Sequence, residues 1–131
     1  MKMKVINLKK RLNKEQRRIL IEKGTEMPFS SPLLNERRKG MFFCVACGNK
    51  IFDSKTKFDS GTGWPSFYDA VRGSVEFKED NSLFVKRIEV ICKKCKGHLG
   101  HVFECNNVPT KVRYCINGCV LKFKKEVASK D

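Results

Sequence analysis

The chain has 131 residues, with 28 Lys or Arg against 14 Asp or Glu, a formal net charge of +14 and 40% apolar residues. That length suits one domain that buries a core without a disulfide scaffold, and the apolar share argues against wholesale disorder. The longest apolar stretch, Met41 to Cys47, cannot cross a bilayer, and the basic start MKMKVINLKKRLNK has only Val5, Ile6 and Leu8 where an export signal needs a longer apolar core. A cytoplasmic protein with no membrane partner is expected.

In chain order, residues 1–11 read as a basic arm, 12–124 as the domain and 125–131 as a polar tail. Asn13 can cap a short helix with Ile19 and Leu20 as its apolar stripe and Gly24 as its end. Pro28, Ser30, Ser31 and Pro32 then break the chain, and Leu33 to Lys39 could hold a second small helix or an irregular wrap. MFFCVACG reads as a strand entering a cysteine turn, in which Gly48 supplies backbone freedom, and Ile51-Phe52 resumes the extended chain. Ser54 to Phe58 reads as linker or hairpin, and Asp59 to Tyr68, around the only tryptophan, as a shaped loop. Strands follow at Ser74 to Phe77 and Ser82 to Val90, with a turn at Glu79-Asp80-Asn81 between them, then at His98 to Phe103, Val112 to Ile116 and Val120 to Phe123. The sum is a mainly antiparallel β domain with an N-terminal helical wrap.

The seven cysteines fit metal ligands plus free thiols better than a disulfide scaffold. Cys44-Val-Ala-Cys47 and Cys92-Lys-Lys-Cys95 are two knuckles, each able to present both sulfurs to one ion. Together they predict one structural zinc per chain. Iron would use the same ligands, and a redox dithiol is the rival reading. Farther on, an extended 113–117 puts Arg113, Cys115 and Asn117 on one face, close in sequence to His98 and His101. A guanidinium beside a thiol favours thiolate and an imidazole can deliver a proton, so Cys115 is a candidate nucleophile; the bland reading is a small buried hydrophobe beside satisfied histidines.

The stretches LNKEQRRILIEKGTEMPF, CVACG with IFDS, TKFDSGTGWPSFY, CKKCKGHLGHVF and PTKVRYCIN with LKF resemble, as an ordered set, the B-type methionine sulfoxide reductases, the peptide-methionine (R)-S-oxide reductases. The resemblance implies a two-sheet β-tent with structural zinc. It implies a repair enzyme that reduces methionine-R-sulfoxide in proteins, and less efficiently the free form, through a sulfenic acid on Cys115. His98 and His101 would then bind or protonate the sulfoxide oxygen, Asn117 and Arg113 would shape the pocket, and Trp64 would receive the S-methyl group. Phe103 would pack beside them as part of the substrate wall. The implied partners are oxidised proteins and thioredoxin or another thiol; a monomer is expected.

The chain also departs from that family. Thr62 occupies the place of a frequent resolving cysteine, Gly118 that of a usual serine, and Cys105 that of a usual acidic residue, which leaves the protonation network one anion short. Cys105, Cys119 or an external thiol could then reset Cys115. Cys105 is favoured because the span through Asn106, Asn107 and Pro109 can turn back, whereas Cys119 lies about 13 Å away if the strand continues. The basic residues are spread along the chain and read as a solvated surface without specific nucleic-acid binding. A zinc-pinned binding module lacks aromatic platforms or a knuckle helix, and a purely structural β domain would have no need of Cys115 with His98 and His101.

Overall fold

The computed structural model describes residues 12–126, so the expected basic arm and most of the tail lie outside the described residues. Asn13 Oδ1 accepts the Gln16 N–H at 2.8 Å and Gln16 Oε1 accepts the Asn13 N–H at 3.0 Å. This reciprocal cap opens helix α1, Lys14–Leu20, which buries Ile19 and Leu20 as the sequence implies. The helix stops short of Gly24 because the chain folds back earlier: Glu22 N–H returns to Arg17 O and Gly24 N–H to Arg18 O. Residues 33–39 are turns and bends with no second helix.

The strands are β1 (Gly40–Cys44), β2 (Lys50–Asp53), β3 (Lys57–Phe58), β4 (Ser66–Phe67), β5 (Val75–Asp80), β6 (Arg87–Cys92), β7 (His98–Glu104), β8 (Val112–Ile116) and β9 (Leu121–Lys125). They form a small sheet in the order β2-β1-β9 and a large sheet in the order β3-β4-β8-β7-β6-β5, and the pairings are antiparallel. The core lies between the sheets. Phe42 and Phe52 of the small sheet meet Phe67 of the large one at ring-centroid distances of 5.0 and 4.1 Å, and all three rings are fully buried. The architecture is a β-tent with an N-terminal helix.

The turn expected at Glu79 to Asn81 falls later. β5 runs through Asp80 and the hairpin tip spans 81–86, because the Asp80 side chain accepts the Ser82 N–H at 2.9 Å and pairs with Arg87 at 3.2 Å. Asp80 closes the strand as a cap. At the centre of the large sheet a side chain on Gly100 would put its Cβ 2.1 Å from the Cys115 carbonyl, so only glycine lets β7 and β8 approach there.

The two cysteine knuckles repeat one geometry. Gly48 N–H returns to Cys44 O at 2.9 Å and Lys96 N–H to Cys92 O at 2.8 Å, while Cys44 and Cys92 donate to Asn49 O and Gly97 O. Gly48 and Lys96 hold the same left-handed position, with φ of 77° and 66°. Cys44 ends β1 and Cys92 ends β6, so the knuckles rise from different sheets. Their sulfurs meet: Cys44 and Cys95 are 3.8 Å apart, Cys47 and Cys92 3.6 Å, and the four lie within 4.8 Å of one another. A tetrahedral ion with bonds of about 2.3 Å to sulfur requires edges of about 3.8 Å, so the donor set fits Zn²⁺. Asn49 Nδ2, 3.5 Å from Cys92 Sγ, supplies a donor to the sulfur shell. With four protein sulfurs no position is left for substrate, and the zinc is structural.

Replacing any one of Cys44, Cys47, Cys92 or Cys95 by Ser should cut zinc content from one per chain and lower the melting temperature by about 10 °C or more. Elemental analysis with a thermal melt checks it; folded, full-stability protein without metal contradicts it.

Candidate active site

The register of the large sheet sets the site. Cys115 on β8 lies opposite His101 of β7 on one side and Ser66 of β4 on the other. Arg113, two residues earlier on the same face, donates from Nε to Cys115 Sγ at 3.2 Å. The hydroxyls of Thr62 and Ser66 each lie 3.8 Å from the sulfur, and Ser60 ties them together at 2.8 and 2.6 Å. The Cys115 sulfur thus has a guanidinium and two hydroxyls around it, a polar setting rather than that of a packed hydrophobe.

Above it opens a cleft of roughly 160 Å³ whose lining includes Thr62, Trp64, His101, Phe103, Arg113 and Asn117. The Arg113 guanidinium stacks 5.0 Å above the Phe103 ring, so Phe103 acts as its platform. The Trp64 indole N–H donates to Glu26 O at 2.7 Å, which fixes the plane of the apolar wall. Of the two histidines, His101 lines the cleft, and His98 packs edge-on behind it with ring centroids 5.4 Å apart.

Both imidazoles have carboxylate partners. His101 Nε2 is 2.7 Å from Asp80 Oδ2 and His98 Nδ1 is 2.7 Å from Glu89 Oε2. Hairpin β5–β6 thus supplies one carboxylate to each imidazole, apart from the position that Cys105 occupies. The His101 bond, then Ser82 and Arg87, hold Asp80 well below the usual carboxylate range. Burial opposes ionisation of Glu89, yet hydrogen bonds from His98 and Lys23 keep it below its ordinary value. Burial outweighs Glu89 in pushing His98 down, so His98 is a neutral ring donating through Nδ1. An ionised Asp80 accepting from His101 Nε2 leaves Nδ1 as the second atom of that ring for proton traffic.

Asn117 is braced at both ends of its amide: Oδ1 accepts the Glu26 N–H at 2.8 Å and Nδ2 donates to Leu99 O at 3.0 Å. Glu26 escaped the sequence reading. Its carboxylate accepts the Gly118 and Cys119 N–H groups at 2.8 and 3.1 Å, so one buried residue holds both Trp64 and the turn after Cys115. Burial raises its pKa against the pull of those two amides. Gly118 has a local reason as well, since a Cβ there would lie 1.9 Å from Ser31 Oγ. A visible signal existed for Glu89, a carboxylate inside the apolar strand RIEVIC. Glu26, in an irregular loop, offered none.

Neither spare thiol reaches Cys115. Cys105 N–H bonds Lys111 O just beyond the β7–β8 ladder, four residues past His101 and therefore about 13 Å along the sheet from Cys115. The expected Cys105–Cys115 disulfide, which needs α-carbons about 4.4–6.8 Å apart, does not fit this register. The strand does break after Ile116, into a 3₁₀ turn at Gly118–Val120. That turn carries Cys119 toward α1, where Gln16 Nε2 donates to its carbonyl at 3.2 Å. Burial and the nearby Glu26 and Glu15 push the Cys119 thiol up to about 12, so it stays protonated.

A β-tent with a tetrathiolate clasp and a sheet-mounted cysteine beside an imidazole and a guanidinium defines a thiol-dependent reductase. The model of the SelR domain matches residues 12–125, and the chain belongs to that family, the B-type methionine sulfoxide reductases. It is 54% identical over 123 residues to peptide methionine sulfoxide reductase MsrB of Methanosarcina barkeri, covering 93% of this chain and 87% of that one. The MsrB of Leptospira interrogans is 52% identical, covering 90% and 91%. Among solved structures, the Mis18 "Yippee-like" domain shares the fold, with a TM-score of 0.56 at 20% identity over 70% of this chain and 100% of that one.

The buried pairs make stability pH-dependent. Below its ordinary 6.5 the unfolded chain protonates residue 98 before the folded chain does, and below 3.8 it protonates residue 80 first, so both groups withdraw stability on acidification. Glu26 acts oppositely just above 4.5. Urea unfolding of zinc-loaded protein should show stability falling from pH 7.5 to 5.5, and His98→Asn should flatten that slope; an unchanged slope contradicts the assignment.

Proposed function

We propose that residues 12–124 form a catalytic domain, flanked by a basic arm and a polar tail, that reduces the R diastereomer of methionine sulfoxide in proteins and, less efficiently, the free form. The observation that carries the reading is Cys115 Sγ at the base of the cleft, 3.2 Å from Arg113 Nε, between the Trp64 wall and His101. The S-methyl group lies against the indole, a flat apolar surface suited to a methyl and a soft sulfur. The sulfoxide oxygen points to His101. With methyl, oxygen and line of attack each assigned a side of the cleft, one diastereomer fits and its epimer at sulfur does not.

In the reaction the Cys115 sulfur attacks the sulfoxide sulfur while His101 passes a proton to the oxygen. The oxygen then passes to the Cys115 sulfur as the S–O bond of the substrate and the new sulfur–sulfur bond both break, leaving a thioether and a Cys115 sulfenic acid; cysteine is oxidised by two electrons and methionine sulfoxide reduced by two. Asp80 orients His101, His98 and Glu89 hold that pair from behind, and Asn117 sets the backbone next to the nucleophile. An external thiol then attacks the sulfenic sulfur, releasing water and forming a mixed disulfide, and a second thiol frees Cys115. The reductant is of the thioredoxin or low-molecular-weight thiol class, and the reducing cytoplasm, where a monomer with three thiols beside a tetrathiolate metal site is at ease, is the compartment that suits it.

With a dithiol reductant, the protein should consume only the R diastereomer of a blocked methionine sulfoxide, and Cys115→Ser should abolish turnover with zinc retained. Equal use of both diastereomers, or activity in the serine variant, overturns the reading. After one equivalent of sulfoxide without reductant, mass mapping should find Cys115 as sulfenic acid, and Cys105→Ser and Cys119→Ser should each keep turnover within about twofold of the parent, since neither thiol takes part in resetting Cys115. A peptide linking residues 105 and 115 would overturn direct reduction.

A further inference from the structure

The loop carrying Glu26 runs on through Met27, Pro28 and Phe29. Glu26 is 5% exposed, yet Met27 and Phe29 are 73% and 70% exposed. Such large apolar side chains are costly to leave in water, and these are held there by the site itself. The Phe29 N–H donates to Gly63 O at 2.6 Å, one residue before Trp64, and the Ser30 N–H closes a turn onto Met27 O. Phe29 has a φ of +63°, the left-handed conformation of a turn residue. A Cβ added to Gly63 would lie 2.9 Å from the Phe29 ring and 2.8 Å from Pro28, so this segment rests directly on the loop that presents Trp64. The result is an apolar lip packed against the loop that carries Trp64.

The cleft, at roughly 160 Å³, has room for about one side chain. Whatever chain bears the oxidised methionine must therefore lie outside it, across the lip. An apolar side chain beside the sulfoxide in that chain would gain by covering Met27 and Phe29, which are otherwise left in water. From this match we infer that Met27 and Phe29 form the docking surface for the apolar polypeptide on either side of methionine sulfoxide, and that they set the preference for protein-bound over free substrate. The inference rests on the reading of the cleft as the sulfoxide site. The lip carries no charge, so the contact is separate from the general attraction of a +14 surface for acidic chains.

The test compares two R-sulfoxide substrates: a blocked single amino acid, and a heptapeptide with Leu and Val flanking the sulfoxide. The Met27→Ser/Phe29→Ser double variant should lose about fivefold to tenfold in kcat/KM on the peptide, mainly through KM, the scale expected for partial burial of two apolar side chains. On the blocked amino acid it should stay within about twofold of the parent, which also shows that it folds, and the peptide loss should persist at high salt. Phe84→Ser removes a still more exposed ring at the β5–β6 tip and should leave both substrates unaffected. The same loss on both substrates, no loss on the peptide, or a matching loss from Phe84→Ser would each overturn the inference. Failure of the parent protein to reduce the blocked R-sulfoxide would instead overturn the reading of the cleft.

Discussion

The whole arrangement hangs on a single cross-link between sheets. Cys44 and Cys47 leave the small sheet, Cys92 and Cys95 join β6 to β7 in the large one, and their sulfurs close to tetrahedral spacing. Six residues after Cys95, β7 presents His101; its ladder with β8 then puts His101 opposite Cys115. The clasp never touches substrate. It fixes where β7 starts, and because side chains alternate along a strand, a slip of one residue would turn both imidazoles and the cysteine away from each other. Metal and chemistry are linked through register.

A second constraint works at the loops. Glu26 is a buried carboxylate whose oxygens are taken by the Gly118 and Cys119 amides, whose own N–H is taken by Asn117, and whose carbonyl holds Trp64. A hydrophobic core packs without regard to direction, but hydrogen bonds from a buried anion demand particular distances and angles. The Trp64 wall of the cleft and the strand end that carries Cys115 are thereby fixed to one residue rather than to each other.

Local signals carried much of this from sequence. The Cys-x-x-Cys spacing gave the metal ligands, period-two alternation put Arg113 and Cys115 on one face, and the Asn13 to Gln16 cap marked where α1 begins. What failed to show was long-range. Asp80 read as a turn residue because Asp favours turns, whereas here it caps a strand and reaches His101, 21 residues away in the chain. Glu26 is an ordinary acidic letter until the fold buries it. The reach of Cys105 toward Cys115 looked feasible from loop length alone, and the ladder that forbids it exists only once β7 and β8 are paired.

That ladder has a further consequence. With Cys105 held across from Lys111 and Cys119 turned toward α1, an oxidised Cys115 has no neighbouring sulfur to seal it as a disulfide. An internal disulfide shelters a sulfenic acid from a second oxidant molecule; without one, the next oxidation leads to the sulfinic acid, which thiols do not reverse. On the proposed direct reduction, repair capacity is rationed by how fast thiols arrive relative to peroxide. In a cell short of thiols, each turnover risks being its last.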